Sequence, residues 1–262
     1  MHINFYKYQG TGNDFILIDN RLNSFQADSL PIKKLCDRRF GIGADGLILL
    51  QNLTGYDFRM QYFNSDGRES TMCGNGGRCI TAFAQKLGII DSRAKFLAAD
   101  GPHQATIDGN KVSLGMQDVS GIEIAEEYFF LNTGSPHVVK FVENIFEFPV
   151  IEEAKKIRYN KRFTENGTNV NFVERKNGNL IVRTYERGVE DETFSCGTGV
   201  TAAALVEAIK KQTSENNEIM VVTKGGELSV RYKKNGRDNF QDIYLSGNTE
   251  FVFEGSIAIS NE

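Results

Sequence analysis

Two cysteines stand out by what surrounds them. Cys73 opens the run Cys73-Gly74-Asn75-Gly76-Gly77, and Cys196 opens Cys196-Gly197-Thr198-Gly199, 123 residues further on. Behind each, apolar residues recur at helical spacing: Cys79, Ile80, Phe83, Ala84 and Leu87, with Gly88 as the stop, and then Val200, Ala204, Leu205, Ala208 and Ile209. Each cysteine is thus expected at a helix N-terminus, beside amide donors that have no carbonyl partner inside the helix. Those donors and the helix dipole stabilise a thiolate and draw its pKa down. The glycines leave the amides sterically open to an anion. Two such helix starts aimed at one carboxylate would set a sulfur on each side of the neighbouring carbon. One thiolate could then remove an α-proton while the opposite thiol delivers another, a two-base inversion. The amides would stabilise the enediolate-like charge that develops as the proton leaves.

The elements that must hold the cysteines come in pairs as well. Asn13 and Ser135 lie 122 residues apart, and Gly46 and Asn169, Asn64 and Arg187, and Cys73 and Cys196 each lie 123 apart. This is an internal duplication of about 120 residues, longer than the ~20–50-residue period of a solenoid. Before each cysteine an alternating segment reads as a strand, over 56–63 and again over 180–185. After each helix, strands return through turns at Asp100-Gly101, Asp108-Gly109, Gly225-Gly226 and Asn235-Gly236, the last expected as a tight hairpin. The fold class is α+β: two similar domains, each a mainly antiparallel sheet wrapped around a central helix, with the two helix starts expected to point at one cleft. The boundaries read 1–117 for the first domain and 118–248 for the second, with a last strand from about 249 returning to the first domain.

Composition narrows the function. The chain of 262 residues is 40% hydrophobic and carries a net charge of −4, which argues against nucleic acid or an acidic membrane as partner. No apolar run is long enough for a membrane span, and no signal peptide is visible at the N-terminus. With only 4 cysteines, a disulfide scaffold is not expected, and a cytoplasmic setting is. The 3 scattered histidines and the absence of a CxxC pair argue against a metal site. Cys36 and Cys79 lack the glycine-rich surround and read as core. Gly41-x-Gly43-x-x-Gly46 has the spacing of a nucleotide fingerprint but no strand before it.

Several longer motifs carry a resemblance: Gly12-Asn13-Asp14-Phe15, the run 37–46 (DRRFGIGADG), Phe63-Asn64-Ser65-Asp66-Gly67, 73–79 (CGNGGRC), Tyr185-Glu186-Arg187-Gly188 and Cys196-Gly197-Thr198-Gly199. On these the chain resembles, essentially end to end, the diaminopimelate epimerases, cofactor-independent enzymes of lysine and cell-wall precursor synthesis. The resemblance implies that Cys73 and Cys196 form the acid–base pair and that no cofactor is needed. It implies that Gly74, Asn75, Gly197 and Thr198 offer amides to the reacting carboxylate. Asn64, Asn169 and Arg187 would bind the distal carboxylate, the arginine by a two-pronged contact. Asn13 and Glu186 would add polar contacts, Glu186 to an ammonium group. His137 and Glu186 match positions that tune the thiols, and a homodimer is implied. Ser135 departs from the pattern, standing where many members have Asn.

Two other readings compete. Proline and hydroxyproline racemases share the two-cysteine architecture but usually have His where Asn75 stands, and a compact imino acid leaves Arg187 and Asn64 without a use. A non-catalytic anion-binding protein would grip a carboxylate with no α-proton exchange.

Overall fold

The structure, a computed structural model, describes residues 2–25, 32–212 and 216–258. It divides into two compact units, Met1–Leu114 with Gly247–Glu262, and Gly115–Ser246. The first unit opens with the hairpin β1 (His2–Gly10) and β2 (Asn13–Asp19), followed by a short helix α1 (Ile32–Cys36). Then come β3 (Gly46–Gln51), β4 (Phe58–Asn64), the two-residue β5 (Glu69–Ser70) and the helix α2 (Gly74–Lys86). A meander of β6 (Arg93–Ala98), β7 (Gly101–Asp108) and β8 (Lys111–Gly115) follows.

The second unit repeats this order. After a two-residue β9 (Glu123–Ile124) come β10 (Phe129–Asn132), β11 (Pro136–Phe141), α3 (Val150–Arg158), β12 (Asn169–Lys176) and β13 (Asn179–Glu186). Next are β14 (Asp191–Thr193), α4 (Gly197–Lys210), β15 (Asn216–Thr223), β16 (Gly226–Lys234) and β17 (Phe240–Asn248). The pairings repeat too. β2 runs parallel to β3 as β11 does to β12, and β4 parallel to β6 as β13 does to β15. The pairs β1–β2, β3–β4 and β6–β7 in the first unit, and β10–β11, β12–β13 and β15–β16 in the second, are antiparallel neighbours in sequence. This is the α+β duplication that the offsets predict.

The last strand, β18 (Glu250–Ala258), belongs to the first unit, where it pairs antiparallel with β1 from His2↔Ala258 to Gln9↔Glu250. This is the strand expected from about 249; residues 259–262 lie outside the described residues.

Each sheet wraps its helix. α2 packs on β1, β2, β3, β4 and β7, and α4 on β10, β11, β12, β13, β15 and β16. Cys79, Ile80, Phe83 and Ala84 on α2 are fully buried, as the helical spacing predicts. α4 goes further, because Val200 to Ala208 are buried on every side, including Glu207, whose carboxylate is held by Arg175 and Lys211. A helix apolar all round belongs at the centre of its unit.

The turns at 99–100, 109–110 and 224–225 join β6 to β7, β7 to β8 and β15 to β16 as two-residue hairpins. Asn235-Gly236 differs. β16 and β17 are joined by residues 235–239, closed by the Asn235 N–H on the Asn239 carbonyl at 2.8 Å. The longer loop lets Phe240 meet Tyr232 edge-on, ring centres 5.3 Å apart, where a two-residue turn would not. No helix among the described residues is long and apolar enough to cross a membrane.

Candidate functional site

Cys73 is the N-cap of α2 and Cys196 the N-cap of α4, both in extended backbone conformation. At neither helix does a side chain supply the N-cap hydrogen bond. Ser, Thr, Asp or Asn normally fills that place and occupies first-turn amides with its own oxygen. A cysteine does so poorly, leaving the positive end of the helix for another anion. Gly74 and Asn75 follow as the first residues of α2, and Gly197 and Thr198 as the first of α4.

In the first unit the surroundings of Cys73 are polar and charged. Its thiol donates to Asn13 Oδ1 at 3.6 Å, and Asn75 Nδ2 donates to the same oxygen at 3.2 Å. Asn13 is held in that orientation because its Nδ2 donates to the Asp45 carboxylate at 2.6 Å. Asp45 is tied in turn to Arg38, which also grips Asp14 through both carboxylate oxygens, at 2.7 and 2.9 Å. Lys7, almost wholly buried, closes the set with an ion pair to Asp14 at 2.7 Å and a hydrogen bond to the Gly43 carbonyl. Burial alone would raise the Asp14 carboxyl, but Arg38 and Lys7 hold it well below the usual range.

Beneath Asn75 lies Arg78, fully buried on α2. Its Nη2 donates to Asn75 Oδ1 at 3.1 Å and to Thr11 Oγ1 at 3.0 Å, while its Nε and Nη1 have no hydrogen-bond partner among the described residues. No carboxylate pairs with it among the described residues. Burial lowers this guanidinium, and the neighbouring Cys79 and Cys73 act in the opposite sense. Asn64 ends β4, its backbone closing the turn to Arg68 at 3.0 Å. Register places it level with Gly46 and so with Phe15, two residues from Asn13, at the same end of the sheet.

In the second unit the side chains that lead to Cys196 are uncharged, with Arg187 near enough to act on His137. Thr198 Oγ1 lies 3.5 Å from Cys196 Sγ and 2.9 Å from His137 Nε2. His137 is wholly buried on β11, and its Nδ1 lies 3.1 Å from Asn171 Nδ2. Burial, helped by the charge of Arg187, lowers the imidazole to about 3. Asn169 is level with His137 in the β11–β12 register. Its Nδ2 donates to Ser135 Oγ at 2.9 Å and to the Pro136 carbonyl at 3.0 Å, and its Oδ1 accepts the Arg187 N–H at 2.9 Å. Ser135 thus accepts from Asn169.

Arg187 is exposed, its Nη1 on the Asn166 carbonyl at 2.8 Å. Its chain runs over Gly167, where a Cβ would stand 2.6 Å from Arg187 Cδ. Glu186, half-buried, is the last residue of β13 and pairs in register with Asp191. A second close approach explains Gly199: a Cβ there would stand 2.2 Å from Asn171 Oδ1.

The other two cysteines are core. Burial pushes the Cys36 and Cys79 thiols up to about 12. Gly41 and Gly43 lie in the loop leading into β3 and Gly46 is its first residue, so a strand follows them and not the helix that a phosphate cradle requires. Among the described residues no group of three or more His, Cys, Asp or Glu could hold a metal ion.

Sequence reasoning gave no role to Thr11, Asp45, Arg78, Asn171 or Thr184. One signal was available for Asn171: it stands two residues from Asn169 on a strand, hence on the same face.

Comparison with known proteins gives a consistent answer. The family model described as diaminopimelate epimerase matches residues 5–120 and 129–252, two segments that correspond to the two repeats. A diaminopimelate epimerase from Flavobacterium psychrophilum is 53% identical over 96% of this chain and 99% of its own length. One from Chlorobaculum tepidum is 42% identical over 95% and 99%. Among solved structures, a PhzF-family phenazine biosynthesis protein from Bacillus anthracis superposes with a TM-score of 0.79 at 14% identity, covering 99% of this chain and 100% of that one. A hydroxyproline epimerase from Agrobacterium vitis gives 0.70 at 13%, covering 98% and 93%. At such identities these two likenesses concern the fold alone.

Proposed function

This chain belongs to the diaminopimelate epimerase family, isomerases that act on an amino acid, and on that premise we propose that it converts LL-diaminopimelate to the meso form without a cofactor, using Cys73 and Cys196 as the two bases. The observation that carries the reading is the repeated cysteine N-cap, one at the start of the buried helix of each unit, with no side-chain cap at either. A helix start of this kind binds a carboxylate and supports a thiolate at once.

In the proposed reaction one thiolate takes the α-proton from one face and the opposite thiol supplies a proton to the other. The roles exchange in the reverse direction. The amides of Gly74, Asn75, Gly197 and Thr198 hold the reacting carboxylate and stabilise the charge that builds on it. Asn64, Asn169 and Arg187 receive the distal carboxylate, Glu186 its ammonium group, and Asn13 adds a polar contact. His137 and Glu186 tune the thiols. The same reading assigns the reaction to lysine and cell-wall precursor synthesis in the cytoplasm, with the chain as a homodimer.

The test is α-proton exchange in heavy water followed by NMR, with LL-diaminopimelate and proline in parallel under reducing conditions. Exchange with inversion of diaminopimelate alone is expected. Cys73→Ala and Cys196→Ala should each lower inversion by about 10²–10⁴-fold, the contribution of a positioned acid or base. Exchange of proline instead would move the chain to the racemases. Binding of diaminopimelate with no exchange at all would leave only an anion-binding protein.

A further inference from the structure

The second unit holds a chain of four side chains whose proton positions can be read from their partners. Asn171 Nδ2 lies 2.9 Å from the Val138 carbonyl, and a carbonyl only accepts, so the amide orientation is settled. Its Oδ1 correspondingly accepts the Thr184 hydroxyl at 2.9 Å. The second hydrogen on Nδ2 is directed at His137 Nδ1, 3.1 Å away. Nδ1 must therefore be the unprotonated nitrogen, and the neutral ring carries its proton on Nε2. Nε2–H donates to Thr198 Oγ1 at 2.9 Å, so the hydroxyl hydrogen of Thr198 is turned elsewhere. Cys196 Sγ lies 3.5 Å from that oxygen, and a thiolate there has no proton to donate and can only accept it.

We infer that Asn171 is a positioning residue: acting through His137 and Thr198, it keeps a hydroxyl hydrogen aimed at Cys196, so that the thiolate is supported by a neutral relay and not by an imidazolium. This rests on the reading of Cys196 as an acid–base group. An imidazolium would put an N–H on Nδ1 against the Asn171 amide hydrogens, two donors face to face in a buried place. The ring's lowered proton affinity agrees with this. Charged groups at this end of the sheet include Glu186, closing β13, Arg187 just after it, and Asp191, level with Glu186 on β14. A thiolate locked to an imidazolium would be a weak base and hard to reprotonate. A neutral donor stabilises the anion while leaving it free to take a proton and give it back, as a two-way epimerisation demands.

Two measurements on the full chain test the relay, neither needing substrate. In ¹⁵N NMR of the labelled protein, His137 should show an unprotonated Nδ1 and a protonated Nε2 throughout pH 6–8, and Asn171→Asp should bring a proton onto Nδ1. In iodoacetamide alkylation followed by peptide mass spectrometry, Thr198→Val should move the pH midpoint of Cys196 up by about one unit or more, the effect of losing a hydrogen bond to a charged group. Thr198→Ser should return it toward wild type. A protonated Nδ1 in the wild type, an unchanged ring in a folded Asn171→Asp variant, or an unmoved midpoint in Thr198→Val would each overturn the inference. Because no turnover is involved, loss of the epimerase reading would show in the exchange assay alone, and loss of the relay only here.

Discussion

The two helix starts share one backbone plan and differ in what stands behind the sulfur. At Cys73 the support is ionic: a buried guanidinium beneath Asn75, and a carboxylate, Asp45, that sets the orientation of Asn13. At Cys196 it is neutral, running from Thr184 through Asn171 and His137 to Thr198. The duplicated positions show the divergence directly. Asp14, with two cationic partners, has Pro136 as its counterpart 122 residues on, and Asn75 has Thr198 at an offset of 123. The two copies share the helix start and differ in the side chains around each sulfur.

That contrast makes acid the strongest lever. His137 has its proton affinity lowered on folding, to about 3, so the unfolded chain binds more protons between there and the ordinary value near 6.5. Its stabilising contribution is present above about 6.5 and drains away as pH falls, by about 1.4 kcal/mol per pH unit. Asp14 is held low instead, so its contribution persists down to the ordinary carboxylate range near 4 and is lost only below that. Between pH 6.5 and 4.5 the second unit should therefore lose about 2–3 kcal/mol that the first retains. Hydrogen exchange corrected for intrinsic rates should show β11 and β12 opening before β2 and β3. His137→Gln should flatten the difference, and simultaneous opening of both units would break the comparison.

The next lever is the second glycine of each helix start. A methyl at Gly199 would collide with Asn171 Oδ1 at 2.2 Å, and that amide is pinned by its other bonds. At the matching Gly76 the nearest atom is the flexible end of Ile48, at 3.0 Å. Gly199→Ala is expected to cost about 1–3 kcal/mol in denaturant unfolding. It should also displace the His137 proton. Gly76→Ala should cost about 1 kcal/mol or less, since a side-chain end can move.

The smallest effect concerns Arg78. Replacing a buried charge by an apolar chain of similar volume is often neutral or stabilising. Arg78→Met is expected to unfold at an equal or higher denaturant midpoint. Cys73 should nonetheless alkylate about tenfold more slowly near neutral pH, with Cys196 unaffected. A parallel slowing of both cysteines would erase the distinction between the ionic and the neutral support.

Much of this was legible in the chain. The offsets of 122 and 123 revealed the repeat, and apolar spacing located both cysteine helices and the strands before them. Other features were hidden for definite reasons. Arg78 stands within the quoted motif, yet nothing in sequence says that an arginine will be buried without a carboxylate, since arginine is almost always exposed or paired. The relay joins residues 137, 171, 184 and 198, and only the pairing of β11, β12 and β13 beside the start of α4 brings them together. The Asn235-Gly236 turn was misread as a tight hairpin because Asn-Gly serves longer loops equally well when its glycine takes a positive φ.

The return of β18 to β1 has a consequence for how the molecule is made. The second unit is one unbroken stretch, Gly115–Ser246, whereas the first needs a strand, β18, that is translated after the whole of the second. During synthesis β1 waits with an open edge until some 240 further residues have been added. The half translated first is the half completed last. A C-terminal truncation before Glu250 should then release a chain whose second unit is folded while the first exposes the unpaired edge of β1, a template for association with other chains.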